Sequence, residues 1–546
     1  MYFDSVPSMP NDTGTPVANL MLGNFNNYNQ ISQHVYPYFR FQSWEWFAQD
    51  SWKINRKLTL EFGLRFQRST PTYTYTRGGT EGGEGTFPTL SVDLGKYSAS
   101  RAPQIDLSTG WIVGDPMVLL NNGLIKDPSP GVPRGFSPTV NRFAPRLGFA
   151  YDVTGDGKTS LRGGFGVYYE RLCQNVFNFS AGGNFPNVIT ATVYNGNTGN
   201  IDTNFETPPV APPAYVTWDP ANLIPAIYSW NLGIQRELHP GWVLDLSYVG
   251  NRDTHLMIVR STNGLPIGTF LKDPDLLASV NGFQDALRPY RGFGSLSNVE
   301  TTGYSMYNGM LVRLSRRFAQ GLSFNVNYTW SRAFNLTDYD AEYLNNPFDM
   351  RQNWAPAGYD RTHVLAVDYV VRLPKVKGPL DNMIGRAIFN GWELAGITRF
   401  ETGLPTTITS NGNLYGLDLG WAWGNSADLA GDPTAGQSSS RWFDPAAFRR
   451  PQDGQWGSLH RNALRLPGTN NWDMNISKFF TLHEQVKLNV RFEVYNVFNH
   501  TQIWTVNTGF TSDNQGGPIS ATNTGFGYPT AFRDPRILQF GFKVSF

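Results

Sequence analysis

The sequence predicts an all-β chain: an antiparallel transmembrane β-barrel of the outer-membrane type, or part of one, with short periplasmic turns and long extracellular loops. Three observations predict this class. Strand-length segments alternate bulky apolar residues with small polar ones at every second position. Short and long connections alternate along the chain. No run of about 18 apolar residues occurs, so no transmembrane helix crosses in their place.

The alternation is clearest in "GLSFNVNYTWSRAF", where Leu322, Phe324, Val326, Tyr328 and Trp330 share one face and Ser323, Asn325, Asn327, Thr329 and Ser331 the other. "KLTLEFGLRFQ" sets Leu58, Leu60, Phe62, Leu64 and Phe66 against Thr59, Glu61, Gly63, Arg65 and Gln67. "YSWNLGIQ", "GWVLDLSYVG", "VKLNVRFEV" and the terminal "LQFGFKVSF" repeat the pattern. Less regular runs near 44–53, 145–153, 159–170, 307–317, 362–373, 389–402 and 471–481 bring the total to about 13 strands, with a weaker candidate near 24–33.

Short links follow Lys53, Val153, Leu238, Phe318 and Phe480, whereas 68–144, 172–227, 251–306, 333–361, 403–470 and 499–535 are long and rich in Gly, Pro and Asn. Only the link at 374–388 blurs the rule. Loops beyond about 15 residues are uncommon in compact soluble domains, and alternation of short turns with long loops is the habit of outer-membrane barrels. With short turns on the periplasmic side, the last strand runs inward and leaves the C-terminus there. Trp52 and Trp242 then sit beside short turns, and Tyr248, Tyr328 and Trp330 at the far ends, as two interfacial belts.

A soluble sandwich also alternates. Against it stand the strand lengths of about ten residues, which match a tilted bilayer crossing, and an apolar face without charge in the clearest runs. A lysine or arginine at the midplane of that face would cost about 2–4 kcal/mol.

Composition narrows the function. Basic and acidic side chains number 44 and 43, which gives no basic excess for nucleic acid. Charged residues are 16% and aromatics 14%, low and high respectively for a soluble domain. The first residues, "MYFDSVPSMPNDTG", do not read as a signal peptide. The single cysteine, Cys173, excludes an internal disulfide framework and a cysteine zinc cluster.

"DVTGDGKTS" spaces Asp152, Thr154 and Asp156 like a calcium loop, but the twelfth position is Gly163 where a bidentate glutamate is needed, so a hairpin turn is the expected form. "GGTEGGEG" at 78–85 lacks the Lys-Ser/Thr of a phosphate loop and is expected to be an outer loop. The seven histidines show no paired metal spacing, and no Gly-x-Ser-x-Gly elbow appears. No catalytic residue, metal or cofactor is assigned.

Two groups of candidate binding residues remain. Glu61, Arg65, Asp245, Arg313, Asp368, Arg372, Lys487, Arg491, Glu493 and Lys543 occupy inward positions, where they would bind solute, hold a plug, or pair with one another and hydrate the wall. Tyr415, Trp421 and Trp423 in "SNGNLYGLDLGWAWG" would anchor a ligand or pack loop against loop.

The stretches "FAQDSWKINRKLTLEFGLRFQ" (47–67), "NRFAPRLGFAYDVTGDGKTSLRGGFGVYYER" (141–171), "YSWNLGIQRELHPGWVLDLSYVGNR" (228–252), "GYDRTHVLAVDYVVRLP" (358–374), "GWELAGITRFETGLPTTIT" (391–409), "WFDPAAF" (442–448), "NALRLPGTNNWDMNISKFF" (462–480) and "VKLNVRFEVYNVFNH" (486–500) follow a family order. As a set they resemble the Oar-like branch of TonB-dependent outer-membrane receptors. The terminal "RILQFGFKVSF", with Phe542 and Phe546, is similar to the C-terminal signal read by the barrel-assembly machinery.

The resemblance implies a gated importer, in which a plug fills a barrel of about 22 strands and a short N-terminal box engages TonB. No plug or TonB box is read ahead of residue 44, so the expectation is the C-terminal part of such a receptor. Residues 1–40 would be an N-terminal loop with a candidate edge strand, and 41–546 the barrel domain. The expected partners are outer-membrane lipid, the assembly machinery, an unidentified small-molecule, peptide or oligosaccharide solute, and TonB if an upstream plug and box exist. A structural or adhesive barrel, and an outer-membrane hydrolase with a rim cluster, stand as alternatives.

Overall fold

The computed structural model describes the chain except at residues 6–8, 10, 33–38, 75–88, 128, 137, 172–183, 200–209, 220–222, 267, 270–274, 281–283, 340–341, 345, 411–424, 453, 484–485 and 511–524. Thirteen long strands form one continuous antiparallel path in chain order. They are β1 (Ser43–Lys53), β2 (Leu58–Ser69), β3 (Val140–Asp152), β4 (Thr159–Tyr169), β5 (Ala226–His239), β6 (Trp242–Ser261) and β7 (Leu296–Ala319). The second half adds β8 (Leu322–Asn335), β9 (His363–Arg372), β10 (Trp392–Glu401), β11 (Thr469–His483), β12 (Val486–Tyr495) and β13 (Ile537–Ser545). The path ends at β1 and β13, which are not paired with each other.

Hairpin chemistry sets the register. Gln320 and Gly321, at φ 53° and 79°, join Ala319 to its partner Leu322. Two successive positive φ values match the twist of the flanking strands. The Gly321 turn also lies so close to Arg372 O that a Cβ would meet it at 2.5 Å. In the link between β3 and β4 the Asp152 carboxylate accepts from Gly155 N at 2.8 Å and Gly157 N at 3.0 Å, which is the expected turn.

Register carries the polar positions from strand to strand. Asn325 opposes Ser315 and Asp368, Asp245 opposes Gln235 and Arg313, and Arg313 opposes Asn327. One face therefore collects Ser, Thr, Asn, Gly and most charges, and the other collects Leu, Phe, Val, Tyr and Trp. That apolar face has no covering layer: Trp44 is 70% exposed, Leu147 58% and Phe542 72%. So broad an apolar surface marks contact with lipid or another apolar medium.

The apolar clusters among the described residues lie elsewhere. β6 and β7 run on past the wall, and their outer parts pack with the long connections. One cluster holds Leu90, Leu119, Tyr215, Phe293 and Leu296, and another Ile408, Phe443, Phe448, Phe510 and Phe526. Short strand pairs such as Thr89–Val92 with Leu124–Asp127 frame this outer cap.

Two expectations change. The candidate strand near 24–33 exists as Asn24–Ile31, but it pairs with Thr190–Asn197 and is no edge of the wall. Its apolar residues are too sparse for a lipid face: "NFNNYNQI" offers Phe25, Tyr28 and Ile31 at every third position, out of step with a strand's period of two, and Phe25 is buried. The irregular link after β9 is neither a short turn nor a loop, but carries a helix at Met383–Phe389.

Candidate functional site

Strand register places Glu61, Arg65, Asp245, Arg313, Asp368, Arg372, Lys487, Arg491, Glu493 and Lys543 on the polar face. Several are occupied by neighbours across the ladder or two positions along the same strand. Arg65 Nε donates to Glu45 Oε2 at 3.0 Å, Arg372 pairs with Glu393 at 2.7 Å, and Arg491 with Glu493 at 3.5 Å. Asn325 donates to Asp368 at 2.7 Å, and Asn475 to Glu493 at 3.0 Å. Asp245 and Arg313 are direct register partners, an arrangement that favours opposite charges.

At the outer end of β10–β13 the polar face forms a cavity of about 310 Å³. Arg399 and Glu401 enter it from β10, Asn471 and Asp473 from β11, and Gln502 and Arg533 from the connection between β12 and β13. Glu401 is nearly buried and pairs with Arg361 at 3.0 Å and with Arg399. Arg533 makes no ion pair among the described residues, and its guanidinium rests over Trp504 at 4.2 Å. Burial holds Arg533 below the usual arginine range; Glu401 opposes this shift, while Arg361 and Arg399 add to it.

Gln502, 6% exposed, donates Nε2 to Asn471 at 3.0 Å, but its buried Oε1 has no hydrogen-bond donor among the described residues. An orphan acceptor of this kind calls for an explanation. Among the described residues the site thus presents the Arg533 guanidinium without an ion pair, a Gln502 amide oxygen without a donor and the Asp473 carboxylate around one cavity. A neighbouring cavity of about 300 Å³ runs down the same face past Asp368, Asn475 and Glu493.

The cap is pinned over this end by partly buried ion pairs. Arg461 contacts Asp338 at 2.7 Å and donates to Asn335 O at 2.9 Å. Asn462 Nδ2 donates to Asp338 at 3.1 Å, and Gly358 N donates to the same carboxylate at 2.6 Å. Burial would raise the Asp338 pKa, but the Arg461 charge and these hydrogen bonds hold it below the ordinary 3.8. Arg465 pairs with Asp360 and donates to Gly403 O at 2.9 Å.

Trp52 and Trp242 lie beside short turns on the apolar face. Trp330 and Tyr248 share a row through their common partner Met310. Tyr328 Oη meets His363 Nδ1 at 2.9 Å. Phe542 and Phe546 are exposed at the end of the chain. Tyr415, Trp421 and Trp423, the 78–85 glycine run and Cys173 lie outside the described residues.

The outer membrane beta barrel domain family matches residues 2–539. The chain belongs to that family. Its place is therefore the outer membrane, and the uncovered apolar face meets lipid. Among solved structures it is similar to the outer membrane transporter YddB from Escherichia coli, at 8% identity and TM-score 0.40, covering 93% of this chain and 54% of that one. The ferric-catecholate import receptor Fiu from Escherichia coli K12 gives 12% identity and TM-score 0.40, covering 93% and 45%. The copper transporter OprC gives 10% and 0.37, covering 93% and 48%. The chain thus spans about half the length of these solved chains. A search of curated proteins finds no match.

Sequence reasoning found the charged wall positions but not their partners Glu45 and Glu393, nor the cluster of Arg399, Glu401, Gln502 and Arg533. Glu393, Arg399 and Glu401 alternate in "WELAGITRFE", a signal that was present. Gln502 and Arg533 carry none, because only the return of the chain beside β12 brings them to the barrel wall.

Proposed function

We propose that the chain forms the selecting wall of an Oar-like, TonB-dependent type of receptor and binds a small polar solute on its way across the outer membrane. The observation that carries this reading is the cavity on the barrel's polar face where, among the described residues, Arg533 has no ion pair and the Gln502 oxygen no donor. The polar face lines the lumen, since the opposite face lies in lipid. There the guanidinium attracts an anion and the Gln502 oxygen accepts from a hydroxyl or amino group, so the chemistry fits a hydroxylated or amino carboxylate.

No metal, cofactor or nucleophile takes part in this reading; selection works by charge and shape, and the coupling to TonB belongs to a plug and box. A structural or adhesive barrel is the second reading, favoured by the packed cap with cores of its own.

Calorimetry on the reconstituted protein separates them. Glucuronate is expected to bind at least about tenfold more tightly than glucose, a difference of about 1.4 kcal/mol, and Arg533→Gln to erase the preference. Equal affinity for the two sugars, or no effect of the substitution, removes the solute site and leaves the adhesive reading.

A further inference from the structure

The helix Met383–Phe389, in the link between β9 and β10, lies against the apolar side of the wall and not across its lumenal opening. Its C-terminal carbonyls fix it there. Ile388 O accepts from Trp392 Nε1 at 2.7 Å and from Lys478 Nζ at 2.7 Å, and Asn390 O accepts from Lys478 Nζ at 2.6 Å. Trp392 and Lys478 are register partners on the face of Leu394 and Ile476, which is the lipid face. Lys478 is thereby accommodated among apolar neighbours: its ammonium sits between the rings of Trp392 and Phe480 and ends on the helix carbonyls.

The side of the helix turned away from the wall is apolar and uncovered. Met383, Ile384, Ala387 and Ile388 follow the i, i+1, i+4, i+5 pattern of one helical face. Met383 is 84% exposed and Ile384 67%, and Leu380 just before the helix is exposed too. Gly385 is instead buried, where a Cβ would meet Leu380 O at 2.0 Å. Asp381 and Arg386 pair with each other at 2.6 Å, which keeps both charges off the apolar side.

We infer that this helix is an interfacial anchor, lying in the phospholipid leaflet at the short-turn end of the barrel with Met383, Ile384 and Ile388 among the acyl chains. Two features identify lipid as the occupant. The helix is held by Trp392 and Lys478 of the lipid-facing row of β10 and β11, and Lys375 and Lys377 stand exposed just ahead of it, where headgroup phosphates complement them. A surface helix that short gains its stability from burial of that side, and its C-terminal carbonyls are already met by Lys478 and Trp392.

The test uses the full chain, with Cys173→Ser, in phosphatidylethanolamine/phosphatidylglycerol vesicles. An environment-sensitive fluorophore is placed at Ile384→Cys and, separately, at Arg386→Cys. The Ile384 probe is expected to emit to the blue, to lose about half its emission or more to phospholipid brominated near the headgroup, and to resist iodide. The Arg386 probe is expected to show the reverse. Adding Lys478→Gln should return the Ile384 probe toward iodide. Equal iodide quenching at both sites overturns the inference. So does protection of Ile384 from iodide without quenching by brominated lipid, which would place a protein partner there.

Discussion

The wall and the cap are built from one chain with opposite arrangements of the same residue types. In the wall, Leu147, Leu232 and Phe540 point outward into lipid, and the polar residues of alternate positions meet water on the other side. In the cap, Phe448 and Phe526 are fully buried against each other, and Phe293 is fully buried against Tyr215 in a separate cluster, as in a soluble protein. β6 and β7 pass from one regime to the other within single strands. Ser247 and Tyr248 belong to the wall, whereas Met257, Ile258 and Val259 are buried in the cap. The surrounding solvent, more than strand propensity, decides which way an apolar side chain should face.

The difference predicts distinct failures. Phe448→Ala removes a fully buried ring and should destabilise the cap by about 3–5 kcal/mol. Limited proteolysis of intact membranes should then cut the outer loops faster, while the heat-modified gel shift of the barrel stays unchanged. Loss of that shift would mean wall and cap fold as one unit. Val326→Arg puts a charge on the lipid face at a cost of about 2–4 kcal/mol and should impair assembly. Asn325→Arg, opposite Asp368 on the polar face, should be accepted. Comparable assembly yields for the two variants would contradict the assignment of faces.

The pinning of the cap should respond to acid. Because the folded pKa of Asp338 lies below 3.8, its contribution is complete above that value and is lost as pH falls through the lower folded value. Proteolysis of the 336–361 and 402–468 connections by an acid protease should therefore accelerate below about pH 4. Asp338→Asn should remove that acceleration and leave the loops equally sensitive across the range. The smallest effect belongs to the exposed pair Arg372–Glu393, whose removal should change barrel unfolding in urea by about 0–1 kcal/mol.

The wall was legible in the sequence because period-two alternation in β2, β8 and β12 survives intact for nearly the full strand. The cap was not. The partners of β6 shift register between Thr254 and Leu256, where His255 takes φ 60°. That shift breaks the alternation, and "LMIV" then reads as an unpatterned apolar run within a loop. Ion partners were equally hidden: Arg65 and Glu45 are 20 positions apart, and only antiparallel register shows them as neighbours. Arg399, Gln502 and Arg533 meet because β10 through β13 are adjacent, a fact of topology that no local motif announces. The candidate edge strand failed for the complementary reason: β propensity alone does not say which partner a strand finds.

The most direct test of the central claim is nitroxide scanning of Leu322 through Trp330, one cysteine at a time with Cys173→Ser, in lipid vesicles. Accessibility to oxygen, which concentrates in hydrocarbon, should peak at Leu322, Phe324, Val326, Tyr328 and Trp330. Accessibility to a water-soluble nickel reagent should peak at Ser323, Asn325, Asn327 and Thr329. Low accessibility to both reagents at the apolar positions would instead place them in a protein core and contradict the account.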